Sequence, residues 1–311
     1  MILPVYREQV GLLLRILPFV AQESCFALKG GTAINLFLRD MPRLSVDIDL
    51  VYLPFDDRKT ALDNISKALD RIKLNLLQSL PGIQVQADGP KGKLLCSLGS
   101  MQVKVEVNTV MRGTTEPVRL IPIADMVQDE FGMFAEIRIV SDAELYGGKI
   151  CAALDRQHPR DLFDVFPLLE QNIFPDKIKP GFIASLLSHD RPIHEVIQPR
   201  FQDQEQIFQT QFLGMSRVPF TYEDYIHTRV QLVNVIHASL SDNDKAFLIS
   251  FKQGRPDWSL SPIKALQDLP AIQWKLQNIQ KLVKQNPVKH KKMLGRLKES
   301  LYSKRGSENK T

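Results

Sequence analysis

Apolar residues change period along the first third of the chain, and each change predicts a new element. An apolar run from Val10 to Val20, interrupted by Arg15 and Pro18, predicts an amphipathic core helix over Arg7 to Glu23. A second helical stretch, Arg58 to Leu77, repeats Leu62, Ile65, Leu69, Ile72 and Leu76 at helical spacing. Between them, Val46 to Tyr52 alternates acidic and apolar residues as a strand does. Three short segments follow, Ile83 to Ala87, Lys93 to Leu98 and Gln102 to Asn108, bounded by Pro-Gly, Gly-Pro and Gly-Ser. They read as strands that extend the sheet antiparallel. In the last, Val103, Val105 and Val107 share one face, and Gln102, Lys104, Glu106 and Asn108 share the other.

Further on the period is helical. Ser141-Asp142-Ala143-Glu144 has the form of a capping box, so a helix starts there, runs to about Arg156 and stops at His158-Pro159. Another begins near Arg160. From about Ile178 onward the pattern stays helical, with turn signals at Pro192, Pro199, Pro219, Gly254-Arg255-Pro256 and Pro287. Ser241-Asp242-Asn243-Asp244 reads as a helix cap and lacks the positions of a calcium loop. The expected class is α+β: a mixed sheet flanked by helices over residues 1–175, then a mostly helical domain with a basic tail over 176–311.

Charge alters this picture only at the end of the chain. The net charge is +5, yet residues 275 to 311 hold eleven Lys or Arg against two acids, so the rest is net acidic. Such a tail suits phosphate-backbone contact with RNA, and it equally suits a solvated helix face or a disordered end, the reading for Ser303 to Thr311. Cys25, Cys96 and Cys151 stand singly in apolar surroundings without metal-ligand spacing, as reduced cysteines of a cytoplasmic protein do. His189 and His194 read as ordinary surface or core histidines. The interrupted N-terminal run suits neither a signal peptide nor a membrane span.

Candidate chemistry concentrates at Gly30-Gly31-Thr32, followed after fourteen residues by Asp47-Ile48-Asp49-Leu50. A strand aims Asp47 and Asp49 at one face, and two like charges held so close ask for a cation such as Mg²⁺. The glycines allow close approach of the backbone to a phosphate, and Thr32 opens a short helix, Ala33 to Arg39, whose amides face it. Lys149 stands among Tyr146, Gly147, Gly148, Ile150, Cys151 and Ala152, small neighbours that would leave its amine at a cleft. Asp161 and Asp164, three apart on the next helix, read by spacing as part of a salt-bridged helical pair.

These motifs resemble the polymerase-beta nucleotidyltransferase superfamily. Within it, Lys29-Gly30-Gly31-Thr32-Ala33 followed by Arg43-Leu44-Ser45-Val46-Asp47-Ile48-Asp49-Leu50 is similar to the AbiEii/AbiGii-type toxins of bacterial toxin-antitoxin and abortive-infection systems, relatives of the MenT toxins. Lys149 followed by Arg160-Asp161-Leu162-Phe163-Asp164 continues the likeness, as does Phe247 to Trp258. The resemblance implies a metal-dependent nucleotidyltransferase that uses an NTP with Mg²⁺ or Mn²⁺, modifies the acceptor end of tRNA, blocks translation and is opposed by a cognate antitoxin. It implies Asp47, Asp49 and Glu106 as metal ligands, Glu106 being otherwise an exposed strand residue. It further implies Gly30, Gly31 and Thr32 at the phosphates, Lys149 at the triphosphate, Asp161 or Asp164 orienting Lys149 or contacting nucleotide, and Arg43 and Ser45 as flanking phosphate contacts. Two other readings fit the residues: nucleotidylation of a protein hydroxyl, and a non-catalytic nucleotide- or RNA-binding module.

Overall fold

A computed structural model describes residues 3–171 and 177–302. Helix α1 (Pro4–Ala21) starts on its proline, where a missing backbone N–H costs nothing. Strand β1 (Phe26–Lys29) runs into α2 (Gly30–Ala33), which continues as a π-helical turn, Ile34–Leu38. Strand β2 (Asp47–Tyr52) precedes α3 (Arg58–Ser79), capped by the Asp57 side chain. Strands β3 (Gln84–Asp88), β4 (Lys93–Leu98) and β5 (Met101–Asn108) follow. Next come β6 (Arg119–Pro122), α4 (Asp125–Phe131) and β7 (Glu136–Ile139). Helix α5 (Asp142–Asp155) begins where the Ser141 hydroxyl accepts from the Glu144 amide, and α6 (Pro159–Glu170) succeeds it.

The strands form one mixed seven-stranded sheet in the order β3-β4-β5-β2-β1-β7-β6. β2 pairs parallel with β5 and antiparallel with β1, while β1 and β7 run parallel. The α+β expectation therefore holds, with β3, β4 and β5 antiparallel as the turn residues predicted. Ile48, Leu50, Val103, Val105 and Val107 are buried, and α1 and α3 pack against the sheet. The apolar face thus goes to helices and leaves the charged face of β2 and β5 for other uses. Three strands, β1, β6 and β7, escape the sequence reading because each has four residues, too few for an alternation to register. The helix expected over Ala33 to Arg39 starts earlier, at Gly30.

Beyond residue 177 every long element is helical: α7 (Lys179–Ser188), α8 (Ile193–Ile197), α9 (Glu205–Gln211), α10 (Tyr222–Ser239), α11 (Asp242–Lys252), α12 (Pro270–Gln285) and α13 (Pro287–Tyr302). The cap expected at Ser241 is a full capping box with Asp244. The division expected near residue 175, and the disorder expected over Ser303 to Thr311, lie outside the described residues. Among the described residues no helix is long and apolar enough to cross a membrane. All three cysteines are free, and burial pushes the Cys25 and Cys96 thiols up to about 11 and 12, so both are poor nucleophiles at neutral pH.

Helices α5 and α7 meet through glycine. A Cβ on Gly147 would overlap the backbone of Gly181 and Phe182, and one on Gly181 would overlap the Ala143 carbonyl. Because the clash is with backbone, no rotamer change relieves it and the helices must separate. Gly181→Ala is expected to lower unfolding free energy by about 2 kcal/mol. Gly148→Ala, whose Cβ would meet only Ser185 Oγ at 3.8 Å, should leave it unchanged or slightly raised. Urea unfolding of the two variants measures the difference.

Candidate active site

Cross-strand register builds the site. Lys29 lies opposite Asp49, Asp49 opposite Glu106, and Glu106 opposite Lys93, so one row across four strands carries a cation, two carboxylates and a cation. Asp47 lies opposite Lys104 in the adjoining row. Residues opposite one another share a sheet face, hence all six charged groups project to the side away from the valines. Glu106 is claimed by lysines: Lys93 Nζ lies 2.9 Å from Oε1 and Lys104 Nζ 2.7 Å from Oε2. Burial works to raise its pKa, but the hydrogen bonds from Lys104 and Lys93 outweigh it and hold the carboxyl below its ordinary value.

Asp47 and Asp49 differ from Glu106 in that neither side chain has a hydrogen bond or ion pair among the described residues. Burial pushes the Asp49 carboxyl up, the Lys29 charge offsets part of that, and the Asp47 charge adds to it. Lys29 is itself drawn below the usual lysine range by burial, against the pull of Asp49, Glu106 and Glu144.

Both glycines of the turn admit a charged side chain. Gly30 has a φ of 76°, and a Cβ there would lie 2.5 Å from Asp49 Oδ2; one on Gly31 would lie 2.7 Å from Arg43 Nη2. The left-handed turn thus lets Asp49 press against the chain just where α2 begins. The Thr32 hydroxyl donates to the Asp47 carbonyl at 2.5 Å and lies 3.0 Å from Ser45 Oγ, tying the start of α2 to the start of β2.

Behind the turn lies a buried ionic network. Asp164, fully buried, accepts from Arg43 Nε (2.7 Å) and Nη2 (2.5 Å) and from Asn35 Nδ2 (2.9 Å), with Lys149 Nζ at 3.2 Å. Asp161 accepts from Lys149 Nζ (2.8 Å) and from Arg156 Nε (2.5 Å) and Nη2 (3.0 Å). Burial opposes ionisation of both acids, yet Lys149 and Arg156 at Asp161, and Arg43 and Lys149 at Asp164, keep them well below the carboxylate range. Lys149 borders the cleft as its small neighbours suggested, but its side chain is only 6% exposed and its amine is held by two carboxylates. Arg43 is likewise buried in its bidentate pair.

The profile of the family described as "Nucleotidyl transferase AbiEii toxin, Type IV TA system" matches residues 11–278, a span that holds the glycine turn, both strand aspartates, Lys149 and the Asp161/Asp164 pair. The chain belongs to the AbiEii nucleotidyltransferase toxin family. Among solved structures it is similar to MenT4, a nucleotidyltransferase toxin from Mycobacterium tuberculosis H37Rv, at a TM-score of 0.56 and 14% identity, over 88% of this chain and 93% of that one. A candidate nucleotidyltransferase from H. pylori aligns at a TM-score of 0.46 and 16% identity, over 76% of this chain and 97% of that one. No curated protein matches.

In this AbiEii-family chain the charged sheet face borders, through Lys29 and Asp49, a cleft of about 380 Å³ that also reaches Asn108, Glu144, Arg156 and His189. A divalent cation is the group the family's chemistry implies. Asp47 and Asp49 fit it: they are hard oxygen donors on one strand face, both without a positive partner in contact, and burial of Asp49 favours gaining one. Glu106 reaches the same row, but its oxygens face Lys93 and Lys104, and among the described residues no three His, Cys, Asp or Glu side chains are gathered closely enough to hold a metal. Lys29, Asn35 and Arg156 were not singled out by sequence as site residues. For Lys29 a signal existed, since it immediately precedes the glycine turn at the end of an apolar run.

Proposed function

We propose that this protein transfers a nucleoside monophosphate from an NTP to an acceptor hydroxyl, that the acceptor is the end of a tRNA, and that the modification blocks translation in the cytoplasm until a cognate antitoxin intervenes. The observation that carries the reading is the Asp47/Asp49 pair, two carboxylates on one strand face with no hydrogen bond or ion pair among the described residues, of which Asp49 lines the cleft beside the Gly30 turn. Membership in the AbiEii family supports the reaction class and the antitoxin.

In this reading Asp47 and Asp49 hold Mg²⁺ or Mn²⁺, which when bound supplies positive charge to the phosphates and to the departing pyrophosphate. Backbone amides around Gly30, Gly31 and Thr32 receive the terminal phosphates. The acceptor oxygen forms a bond to the α-phosphorus as the bond to the bridging oxygen breaks; pyrophosphate leaves, and the hydroxyl proton passes to solvent. Lys149, Asp161, Asp164, Arg43 and Ser45 brace the turn and β2 so that the two aspartates keep their place on the charged sheet face, a positioning role supported by their burial and mutual hydrogen bonds. Glu106 joins the aspartates only by releasing a lysine.

A tRNA acceptor is supported by α12 and α13, which expose Lys281, Lys284, Lys289, Lys291, Lys292, Arg296 and Lys298. A stripe of this charge meets a phosphodiester backbone and makes binding salt-dependent. The test is incubation with labelled NTPs, total tRNA and either Mg²⁺ or Mn²⁺. Label is expected at the tRNA end; label on a polypeptide instead transfers the reading to a protein acceptor. No label on any acceptor, from protein shown to be folded, overturns it.

A further inference from the structure

We propose that Lys29 is the residue whose amine receives the triphosphate of the nucleotide, a substrate-contacting cation of this site. The proposal rests on the nucleotidyl-transfer reading above and concerns which positive group that chemistry uses. Four cationic side chains border the cleft: Lys29, Arg112, Lys149 and Arg156. Three are committed elsewhere. Lys149 is held between Asp161 and Asp164, Arg156 forms a two-pronged pair with Asp161, and Arg112 is buried with Nη1 turned to the Asp56 and Asp57 carbonyls at 3.4 and 3.3 Å. Withdrawing Lys149 or Arg156 toward a ligand would break an ion pair to a buried carboxylate, and Arg112 would have to turn from the Asp56 and Asp57 carbonyls, each at a cost.

Lys29 has no such commitment. Among the described residues no hydrogen bond or ion pair holds its amine, although Asp49, Glu106 and Glu144 surround it. Its position is as telling. It stands directly opposite Asp49 in the β1–β2 register, so its side chain leaves the sheet on the face that carries both aspartates. The next residue is Gly30, where the chain turns into α2. Lys29 and Gly30 both line the cleft together with Asp49, so this short segment borders the space a ligand of the aspartates would occupy.

Asp49, Glu106 and Glu144 attract Lys29 when nothing else is bound. A divalent ion on Asp47 and Asp49 neutralises the attraction of Asp49, and a polyanionic triphosphate then offers the amine phosphate oxygens in place of carboxylates. Because the amine is already partly removed from water and gives up no hydrogen bond, the exchange carries little desolvation cost, the condition for a pre-organised electrostatic contact.

The experiment compares native protein, Lys29→Met and Lys29→Arg in three readouts: calorimetric binding of inorganic tripolyphosphate with Mg²⁺, the KM and kcat for NTP in the labelling assay, and melting temperature. Lys29→Met is expected to weaken tripolyphosphate binding by roughly tenfold to a hundredfold, the loss of one charged hydrogen bond, and to raise KM for NTP correspondingly. Its melting temperature should not fall, since no contact is lost, and Lys29→Arg should recover most of the binding. Native-like binding and KM in Lys29→Met, with native protein active, overturns the proposal and leaves nucleotidyl transfer standing. So does a fall in melting temperature that Lys29→Arg shares along with the binding loss, which would make Lys29 a structural residue. Native protein that labels no acceptor and binds no tripolyphosphate overturns the nucleotidyl-transfer reading itself.

Discussion

Asp49→Asn is expected to abolish nucleotidyl transfer, with a rate loss on the order of hundreds-fold or more, while the melting temperature stays level or rises. The two halves of this expectation share one cause. Asp49 is partly buried, presses against Gly30, and has a second carboxylate two residues away on the same face with no hydrogen bond to either. Neutralising it keeps the side chain's shape and removes repulsion from Asp47, so the fold loses nothing that held it. What disappears is a ligand oxygen where positive charge must sit during transfer. Labelling and thermal unfolding on the same preparation measure both, and expression in cells adds a third readout. Growth arrest by Asp49→Asn equal to that by native protein would sink the enzymatic account of toxicity.

The second large effect falls on stability. Asp164→Ala is expected to cost about 3–5 kcal/mol, the range for breaking a buried pair by removing one partner. Asp164 satisfies three hydrogen bonds from Arg43 and Asn35 and draws in Lys149; without it Arg43 is a buried guanidinium with no counter-charge. Lys149 suffers less, because Asp161 still holds it at 2.8 Å. An Arg43→Met, Asp164→Leu double variant should therefore recover part of the loss, and a double-mutant cycle reports the coupling.

The same carboxyl sets an acid response. Its pKa in the fold lies below the ordinary 3.8 because Arg43 and Lys149 outweigh the effect of burial. Between the unfolded and folded values the unfolded chain binds the additional proton, so this contribution is complete above about pH 4 and disappears as pH falls through the folded value. Asp161, held down by Lys149 and Arg156, adds a contribution of the same sign. The Asp164 variant should show a shallower loss of stability on acidification than native protein, in denaturant melts taken from pH 5 downward.

Legibility in the sequence followed the length scale of the interaction. The helix from Arg58, the cap at Ser141, the box at Ser241 and strand β4 stand within a residue or two of where periodicity and turn chemistry place them. Each depends on neighbours within a few positions. Strands β1, β6 and β7 were missed because four residues owe their conformation to the strands beside them. The role expected of Lys149 shows the same limit. Its small neighbours indicated close packing and a cleft, and the residue borders one, but the aspartates that hold its amine approach only when α6 folds back on α5.

The sequence by itself determined that Asp47 and Asp49 emerge on one face of a strand and that a glycine turn precedes them, since a two-residue period and a positive φ are local properties of the chain. Only the tertiary structure decided which charges answer one another. Asp164 takes Arg43 from 121 positions away, Lys93 and Lys104 take Glu106, and Lys29 is left facing the cleft. Pairing of charges depends on distance and burial after the sheet has taken its register and the helices have closed over it, and neither quantity is written in the spacing of residues along the chain.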